Sequence, residues 1–354
     1  MTATLVTAAL AVAGAAGCGG GDDQPATIDA ARYDARPPID ATGSDASTSM
    51  VPDDLPSPLP SGPVTAKTMT FNLGLIQTVR GAPQRLPHIV DAVKGSGVDI
   101  VCFEEVYTQY TSPPALAAML ADTYPYAAWD WTTVNTVSNG LLVVSKVPLY
   151  RQRFHRFTQN DNAGIVDRAV LGVIAVDDAW HLSVLCTHLQ AGLDPSNTAI
   201  RRSQLAELDA FAEDEGFNDD AAVLLGDFNC GPDPDPTDDE CPGQAACPAT
   251  CTPVDTETID AVSQTYGWTE WATALGFDEC TYCKAEADAL ALLPLFVCEG
   301  SQRIDHCFTR NLGAAAVTAV DRVLDAPVAI DIGNGMTSTT LSDHYPVECD
   351  LGVP

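Results

Sequence analysis

The pattern of apolar and polar positions from about residue 64 onward predicts a chain of alternating strands and helices. Runs that alternate, or that are continuously apolar over four to eight residues, predict β-strands, and apolar residues three and four apart predict helices. Trp268, Trp271 and Leu275 have the helical spacing and predict a helix with a core-facing stripe. The predicted strands cover residues 67–73, 98–103, 140–144, 169–176, 181–187, 221–225, 303–308 and 347–351, and the predicted helices cover residues 83–94, 114–120 and 200–212.

The segment Gly226-Asp227-Phe228-Asn229 gives the first indication of chemistry, because it follows directly on the apolar strand predicted at residues 221–225. Side chains two positions apart in extended chain point the same way, so the Asp227 carboxylate and the Asn229 amide face one pocket. One anionic ligand and one neutral polar group suit a phosphate and its metal. A strand followed by an Asx turn has the same residues, so the surrounding chain must decide between the two.

Polar residues recur at the ends of the predicted strands. A single Asp or His after a strand is usually a turn or cap residue. A sheet, however, concentrates such groups along one edge, where a pocket forms. Eight of them at corresponding strand ends therefore favour a site, and they are Asn72, Glu105, His188, Asp227, Asn229, Asp305, Asp343 and His344.

The charge of the chain limits the classes of partner. Its 354 residues include 17 Lys and Arg against 48 Asp and Glu, for a net charge of −31. Such a surface repels polyanions, which disfavours an extended nucleic-acid backbone as a tight ligand. A local site with bound cations can invert this field, so a divalent-metal enzyme acting on a neutral or zwitterionic lipid head group is compatible with the composition.

The N-terminal residues indicate export. Residues 5–16 are apolar but too few to span a bilayer, and Gly17-Cys18 follows them. Residues 1–18 resemble a bacterial lipoprotein signal peptide with Cys18 as the lipidated residue, and an ordinary secretory signal is the alternative. Residues 19–63 are acidic and rich in Pro, Ala and Asp, which predicts a disordered tether before a catalytic domain at 64–354. We expect a cell-surface or outer-membrane lipoprotein, or a secreted protein.

Cysteine usage agrees with an exported protein. Most of the 12 cysteines lie in or next to a Cys-rich insertion that spans about residues 230–300. The spacing Cys280-x2-Cys283 also occurs in zinc sites, but export permits disulfides and favours them here. Cys102 and Cys186 fall in predicted buried strands, where free thiols are expected.

The ordered motifs of residues 67–351 resemble the endonuclease/exonuclease/phosphatase superfamily, which includes pancreatic-type deoxyribonuclease, abasic-site endonucleases and neutral sphingomyelinases. The resemblance implies the deoxyribonuclease I-like α/β fold, a four-layer α/β/β/α sandwich of two packed, mostly antiparallel sheets. Glu104 stands where Gln or Asn is usual, and His306 where Tyr is usual. The matching pieces are Thr70-Phe71-Asn72-Leu73, Asp99-Ile100-Val101-Cys102-Phe103-Glu104-Glu105-Val106, Thr187-His188-Leu189, Gly226-Asp227-Phe228-Asn229, Arg303-Ile304-Asp305 and Ser342-Asp343-His344-Tyr345-Pro346.

Three further pieces look like the bacterial sphingomyelinases within that superfamily. They are Tyr124-Pro125-Tyr126, the Asn139-Gly140-Leu141-Leu142-Val143-Val144-Ser145-Lys146-Val147-Pro148 run and Thr187-His188-Leu189-Gln190-Ala191. Other exported members share parts of these pieces. The Cys-rich insertion matches none of these family pieces, so the resemblance leaves the substrate open.

The resemblance implies in-line attack of water on a phosphodiester. His344 is implied as the general base and Asp305 as the carboxylate that orients it. Asp227 is implied to position or help activate the water, and Asn229 to hold a phosphoryl oxygen. His188 is implied to stabilise charge that develops on the phosphoryl group or the leaving oxygen.

A metal site is implied beside these residues. Glu105 is implied as the principal ligand, with Asn72 next to it. Asp343 is implied either as a ligand or as a residue that contacts a ligand without contacting the metal. Hard oxygen ligands of this kind suit Mg²⁺, which keeps several waters, and Mn²⁺ and Ca²⁺ are alternatives.

Three functions stay open at this point. The first is a phospholipid hydrolase of the sphingomyelinase C type held at a membrane by its N-terminal lipid, with Trp129 and Trp131 as candidate membrane contacts, although core packing is expected for both. The second is an exported endonuclease or exonuclease. The third is a non-catalytic surface binding protein, which would have no need for both Glu105 and His344. A monomer is expected in each case.

The nuclease alternative requires a basic groove. The only basic clusters of the sequence are Arg151, Arg153, Arg156, Arg201 and Arg202. Arg201 and Arg202 open an amphipathic helix, so they also fit its polar face. Nucleic acid is therefore the less favoured partner, and a phospholipid or another phosphodiester is the favoured substrate.

Overall fold

The structure is a computed structural model that describes residues 49–76, 79–107, 109–130, 138–160, 166–192, 195–232, 255–283, 301–313 and 316–353. Its strands, in chain order, are β1 (Ala66–Asn72), β2 (Ile100–Glu104), β3 (Tyr126–Ala128), β4 (Leu142–Ser145), β5 (Leu149–Arg156), β6 (Ala169–Val176), β7 (His181–His188), β8 (Ala222–Asp227), β9 (Thr269–Glu270), β10 (Asp305–Arg310), β11 (Ala316–Arg322), β12 (Ile330–Gly333), β13 (Met336–Ser338) and β14 (Val347–Gly352). Its helices are α1 (Ala82–Gly95), α2 (Pro113–Leu120), α3 (Pro195–Asp214), α4 (Thr256–Gln264) and α5 (Ala272–Leu275).

Two six-stranded sheets form the centre of the described fold. One sheet has the order β11-β14-β1-β2-β4-β3 and the other the order β5-β6-β7-β8-β10-β9, while β12 and β13 pair separately. β1 pairs with β2 in parallel, and β7 pairs with β8 in parallel, because α1 and α3 provide the crossover connections. The other strand pairs of these two sheets are antiparallel. The predicted α/β fold of two packed, mostly antiparallel sheets is confirmed.

The layered packing explains why the central strands have continuous apolar sequences. In β6, Leu171 and Val173 face the core between the two sheets, whereas Val170 and Ile174 face the core beneath α3. The first sheet has the same arrangement, with a further core that includes Phe71 between its outer face and α1 and α2. Strands that are buried on both faces do not alternate with polar residues. The order of layers is helix, sheet, sheet, helix.

Two disulfides cross the interior between the sheets. Cys102 of β2 is bonded to Cys186 of β7, and Cys307 of β10 is bonded to Cys349 of β14. The prediction of free thiols at Cys102 and Cys186 is therefore wrong, because sheet packing brings buried strands that are distant in sequence face to face. Cys230 is buried and free. The cysteines of the predicted insertion that lie outside the described residues are Cys241, Cys247, Cys251 and Cys298.

Residues 49–63 lie against the folded domain, although the sequence predicts them as the end of a disordered tether. The backbone N–H of Ser49 donates to the carbonyl of Trp129 at 3.0 Å, and the N–H of Gly62 donates to the carbonyl of Ala179 at 2.9 Å. Trp129 directly follows β3, the edge strand of the first sheet. The N–H of Arg151 in β5, the edge strand of the second sheet, donates to the carbonyl of Pro52 at 2.8 Å, so this segment covers part of that edge.

The predicted helix through Trp268, Trp271 and Leu275 is wrong over most of its length. Trp268 is buried and precedes β9, and only the four residues of α5 are helical, with Leu275 exposed at their end. Pairing of β9 with β10 overrides the helical spacing. None of the described helices has both the length and the apolar character to cross a bilayer. The predicted signal peptide, Cys18 and Trp131 lie outside the described residues.

Candidate active site

The candidate site lies where strands of both sheets end at one edge of the sandwich. In the first sheet Asn72 of β1 is in register with Glu104 of β2, and in the second sheet His188 of β7 is in register with Asp227 of β8. Asp305, the first residue of β10, is also in register with Asp227. The register places these polar residues at one level because each strand ends there.

Asp227 is the centre of the site. Its Oδ2 atom accepts a hydrogen bond from Asn72 Nδ2 at 2.9 Å and lies 3.3 Å from His188 Nε2 and 4.0 Å from His344 Nε2. Its Oδ1 atom accepts from the backbone N–H of Asn229 at 2.8 Å. Burial opposes ionisation, but His188, His344 and the Asn229 N–H outweigh it and lower the pKa of Asp227. Asp227 is therefore a buried, ionised carboxylate with donors on both oxygens.

His188 and Asn229 flank this carboxylate. Burial and the positive charge of Arg168 lower the pKa of His188 to about 4, so its imidazole is neutral at pH 7. Asn229 has a positive φ of 50° and donates from Nδ2 to the carbonyl of Leu189 at 3.1 Å. That left-handed backbone conformation turns the chain directly after Asp227.

His344 and Asp305 form a buried pair. His344 Nδ1 lies 2.8 Å from Asp305 Oδ2, which leaves Nε2 directed toward Asp227. Burial disfavours the imidazolium, but the charges of Asp305, Asp227 and Asp343 overcome it and raise the pKa of His344 well above its ordinary value. Burial also raises the pKa of Asp305, which His344 opposes. A histidine with one nitrogen fixed by a carboxylate presents the other nitrogen in a defined direction.

The three predicted metal ligands lie at the same edge, since Asn72 ends β1, Glu105 directly follows β2 and Asp343 directly precedes His344. Asn72 Oδ1 accepts from the N–H of Gly74 at 3.0 Å, and Asp343 Oδ1 accepts from Ser342 Oγ at 3.0 Å. Glu105 has a positive φ of 58°, and burial together with the charge of Asp343 raises its pKa to about 7. Mutual repulsion of these carboxylates is the condition that a bound cation relieves.

Two further observations fit a cation at this edge. Ligand atoms of Asp227, Asp305 and His344, which are not the predicted ligands, all lie within 4.8 Å of one another. The Oδ1 atom of Asp305 is buried without a hydrogen-bond partner among the described residues. Carboxylate and amide oxygens are the donor set of Mg²⁺ and similar hard cations. The residues present therefore fit a divalent metal.

Glu104 lies one residue before Glu105 and is fully buried. Its Oε1 atom accepts from Thr70 Oγ1 at 2.6 Å, and burial raises its pKa well above the ordinary value. The raised pKa favours the protonated carboxyl group, which offers one donor and one acceptor, as an amide does. This explains how Glu104 replaces the Gln or Asn that is usual at the position.

Arg168 belongs to the site but was not predicted from the sequence. It is buried, and its Nε and Nη1 atoms have no hydrogen-bond partner among the described residues. Its charge acts on both Glu105 and His188. It directly precedes β6 and so lies at the start of a strand, whereas the predicted site residues lie at strand ends. A buried cation with unused donors at this place suits an anionic group of a substrate.

Arg85 of α1 supports the same edge from behind and was also missed. Its guanidinium is fully buried and donates to the carbonyls of Leu73 at 2.9 Å, Gly74 at 2.6 Å and Leu341 at 2.7 Å. These carbonyls belong to the loop after Asn72 and to the loop before Asp343. One side chain thus fixes the two loops relative to each other.

Four of the five arginines that the nuclease alternative requires are engaged with carboxylates. The ion pairs join Arg153 to Asp53 at 2.7 Å and Glu215 at 3.0 Å, Arg156 to Asp167 at 3.3 Å, Arg201 to Asp255 at 2.9 Å and Arg202 to Glu257 at 2.7 Å. Arg201 is fully buried and is not part of a polar helix face. These side chains do not form an unpaired basic groove.

The sequence profile of the endonuclease/exonuclease/phosphatase family matches residues 69–344. The chain belongs to this family. The match spans the strand-end residues from Asn72 to His344. No curated protein sequence matches the chain.

Solved structures of the family fold resemble the chain at low sequence identity. Sphingomyelinase C from Streptomyces griseocarneus has a TM-score of 0.60 and 21% identity over 81% of this chain and 99% of that chain. Beta toxin from Staphylococcus aureus has a TM-score of 0.59 and 16% identity over 82% of this chain and 100% of that chain. A family member from Beutenbergia cavernae has a TM-score of 0.58 and 19% identity over 81% of this chain and 71% of that chain. These likenesses show the fold.

Proposed function

We propose that this protein is an exported, Mg²⁺-dependent phosphoric diester hydrolase of the sphingomyelinase C type. The observation that supports it most directly is the His344–Asp305 pair, 2.8 Å apart, with its free nitrogen directed toward the ionised Asp227. A fixed imidazole beside an ionised carboxylate is suited to handle the proton of an attacking water. Membership of the family, and the similarity of this chain to a sphingomyelinase and a beta toxin, support the reaction class.

The proposed metal site consists of Glu105, Asn72 and Asp343. A Staphylococcus aureus beta toxin similar to this chain was solved with bound magnesium ions, which supports Mg²⁺ here. When bound, the cation would supply Lewis acidity to a phosphoryl oxygen and would offset part of the negative charge that raises the pKa of His344. The other steps fall to side chains of the protein.

In the proposed mechanism, Asp227 positions the attacking water and His344 accepts its proton. Asp305 holds the His344 imidazole in one orientation and stabilises the imidazolium that forms. Asn229 and Arg168 bind phosphoryl oxygens. Neutral His188 stabilises charge that develops on the phosphoryl group or the leaving oxygen.

A zwitterionic lipid head group is the proposed substrate class. The net charge of −31 repels extended polyanions, and most of the arginines outside the site are paired with carboxylates. A head group with its own positive charge does not meet this repulsion. Lipidation at Cys18 would keep the enzyme beside its substrate, and the disulfides between the sheets support an oxidising, extracellular location.

The test uses the full chain with Mg²⁺ and follows phosphocholine release from sphingomyelin vesicles beside nicking of plasmid DNA. His344→Ala removes the proposed base, and His88→Ala changes an exposed histidine of α1 as a matched control. We expect phosphocholine release that is lost in His344→Ala and kept in His88→Ala. DNA nicking without lipid turnover would refute the lipid substrate and favour a nuclease. If His344→Ala kept the activity of the parent, His344 would not be the base.

A further inference from the structure

A four-residue disulfide loop lies directly behind the His344–Asp305 pair. Cys280 and Cys283 are bonded to each other and enclose Thr281 and Tyr282. Thr281, Tyr282 and Cys283 are buried, whereas Cys280 is partly exposed. In sequence the loop lies well before both Asp305 and His344. Its contacts with them are therefore tertiary.

Thr281 accepts hydrogen bonds from backbone N–H groups at or next to each member of the pair. Its Oγ1 atom accepts from the N–H of Ile304 at 3.0 Å and from the N–H of Asp305 at 3.1 Å. Its carbonyl accepts from the N–H of Tyr345 at 2.7 Å. One residue thus holds the first residue of β10 and the residue after His344.

Tyr282 extends this contact along the other side. It exchanges two backbone hydrogen bonds with Gln302, at 2.9 Å and 2.8 Å, and forms an isolated bridge with His344. The centre of its ring lies 5.6 Å from the centre of the His344 imidazole. The loop therefore acts as a short added strand between the segment that leads to Asp305 and the segment that contains His344.

Arg322 of β11 secures the loop from the first sheet. Its Nη1 atom lies 3.3 Å from Cys283 Sγ and donates to the carbonyl of Cys280 at 3.4 Å, and its guanidinium carbon lies 4.3 Å from the ring centre of Tyr345. The disulfide and Arg322 together restrict the backbone of the two enclosed residues.

We propose that the Cys280–Cys283 loop is the positioning element of the catalytic pair, and that Thr281 is a positioning residue for turnover. This inference rests on the proposed function, because that function makes His344 and Asp305 catalytic. Without the Thr281 hydroxyl, the buried N–H groups of Ile304 and Asp305 lose their acceptor and the start of β10 must shift. A displacement of about 1 Å at a catalytic group lowers the rate roughly 100-fold.

The kinetic test compares Thr281→Val, which removes the acceptor at nearly constant shape, with Thr281→Ser, which keeps it. The matched control is Thr309→Val. It also removes a buried threonine hydroxyl, which lies in β10 and accepts from Trp271 Nε1. With bis(p-nitrophenyl) phosphate and Mg²⁺, we expect Thr281→Val to lower kcat roughly 10- to 100-fold while KM and the Mg²⁺ dependence stay unchanged. Thr281→Ser and Thr309→Val should keep kcat within a few-fold of the parent.

A second readout does not depend on turnover. The proton between His344 Nδ1 and Asp305 Oδ2 should give a far-downfield proton resonance, assigned by its absence in His344→Gln among only six histidines. We expect the resonance to broaden or disappear in Thr281→Val and to persist in Thr281→Ser and Thr309→Val. If no diester is turned over, the proposed function fails while this result still tests the positioning.

The disulfide is tested with the double variant Cys280→Ser/Cys283→Ser, which we expect to match Thr281→Val in both readouts. Full kcat and an unchanged resonance in either Thr281→Val or the double variant would overturn the proposal. Loss of kcat in Thr281→Ser equal to that in Thr281→Val would also overturn it, because the hydroxyl acceptor would then have no part in the effect.

Discussion

Asn72 Nδ2 donates to Asp227 Oδ2 at 2.9 Å and so joins the end of β1 in one sheet to the end of β8 in the other. The Oδ1 atom of the same amide accepts from the N–H of Gly74 at 3.0 Å. Reversing the amide would lose both bonds, so its orientation is fixed. One side chain therefore sets the distance between the two halves of the site.

The first prediction concerns this link. Asn72→Ala should lower turnover roughly 10- to 100-fold and raise the Mg²⁺ concentration needed for half-maximal activity. The reason is that it removes a proposed ligand and the amide that donates to Asp227 Oδ2. Steady-state kinetics over a Mg²⁺ titration measure both effects. Asn218→Ala, in the turn after α3 on the far side of the fold, is the control and should change neither. Turnover in Asn72→Ala equal to that of the control would contradict the role given to this amide.

The second prediction is that His344 and Asp305 act as a unit. His344→Gln and Asp305→Asn should each lower kcat roughly 100- to 10,000-fold. The double variant should be no slower than the worse single variant, because the carboxylate acts only through the imidazole. A double-mutant cycle on kcat measures this coupling. Additive losses would mean that Asp305 serves the reaction independently of His344.

The strand-end residues could be predicted because two simple rules place them. Apolar runs identify the buried strands, and strands in register end at the same edge of a sheet. Asn72 follows one such run and Asp227 ends another, and the structure joins them directly. The strands on which they lie differ from the predicted ones by at most two residues at either end.

Arg168 and Arg85 could not be predicted because their roles depend on packing rather than on local sequence. Arg85 is fully buried on the apolar face of α1, where an arginine is contrary to the pattern, and its partners are carbonyls of distant loops. Arg168 stands before a strand, where no rule marks it. The pairing of Cys102 with Cys186 is equally inaccessible, since it depends on how two sheets are stacked.

The third prediction is a loss of stability in acid that depends on His306. Its Nε2 atom lies 3.0 Å from the carbonyl of Cys230, and burial and Arg303 lower its pKa to about 3. The unfolded chain binds this proton near pH 6.5, and the folded chain does not until about pH 3. The contribution to stability is complete above pH 6.5 and is lost progressively as the pH falls toward 3.

Urea unfolding of the parent and of His306→Gln at several pH values isolates this effect. Gln keeps an N–H donor for the Cys230 carbonyl but does not titrate. Below pH 6.5 the unfolding free energy of the parent should fall more steeply than that of His306→Gln, by about 1.4 kcal/mol per pH unit. His188 contributes to both proteins and cancels in the comparison. Equal slopes would show that His306 is protonated in the folded state.

The fourth prediction concerns the unused donors of Arg168. Arg168→Met should lower kcat/KM for a phosphodiester roughly 10- to 100-fold and weaken inhibition by inorganic phosphate, since a charge-assisted hydrogen bond to the substrate is lost. Arg168→Lys should recover part of the loss because it restores the charge without the planar fork. Arg202→Met removes a surface arginine paired with Glu257 and serves as the control. Phosphate inhibition that is unchanged in Arg168→Met would remove this residue from the substrate site.

The last prediction compares the two disulfides that cross the interior. Cys102–Cys186 closes a sequence separation of 84 residues, and Cys307–Cys349 closes one of 42. Replacing either pair by alanines should lower the free energy of unfolding by about 2 to 5 kcal/mol. Chain entropy makes the longer closure the more stabilising by about 0.6 kcal/mol, because its length is doubled.

Urea unfolding without reductant measures both losses. Cys230→Ala, which removes one buried free thiol, gives the cost of lost packing alone. If either alanine pair cost no more than twice the loss in Cys230→Ala, that bond would contribute no more than the packing of its sulfur atoms.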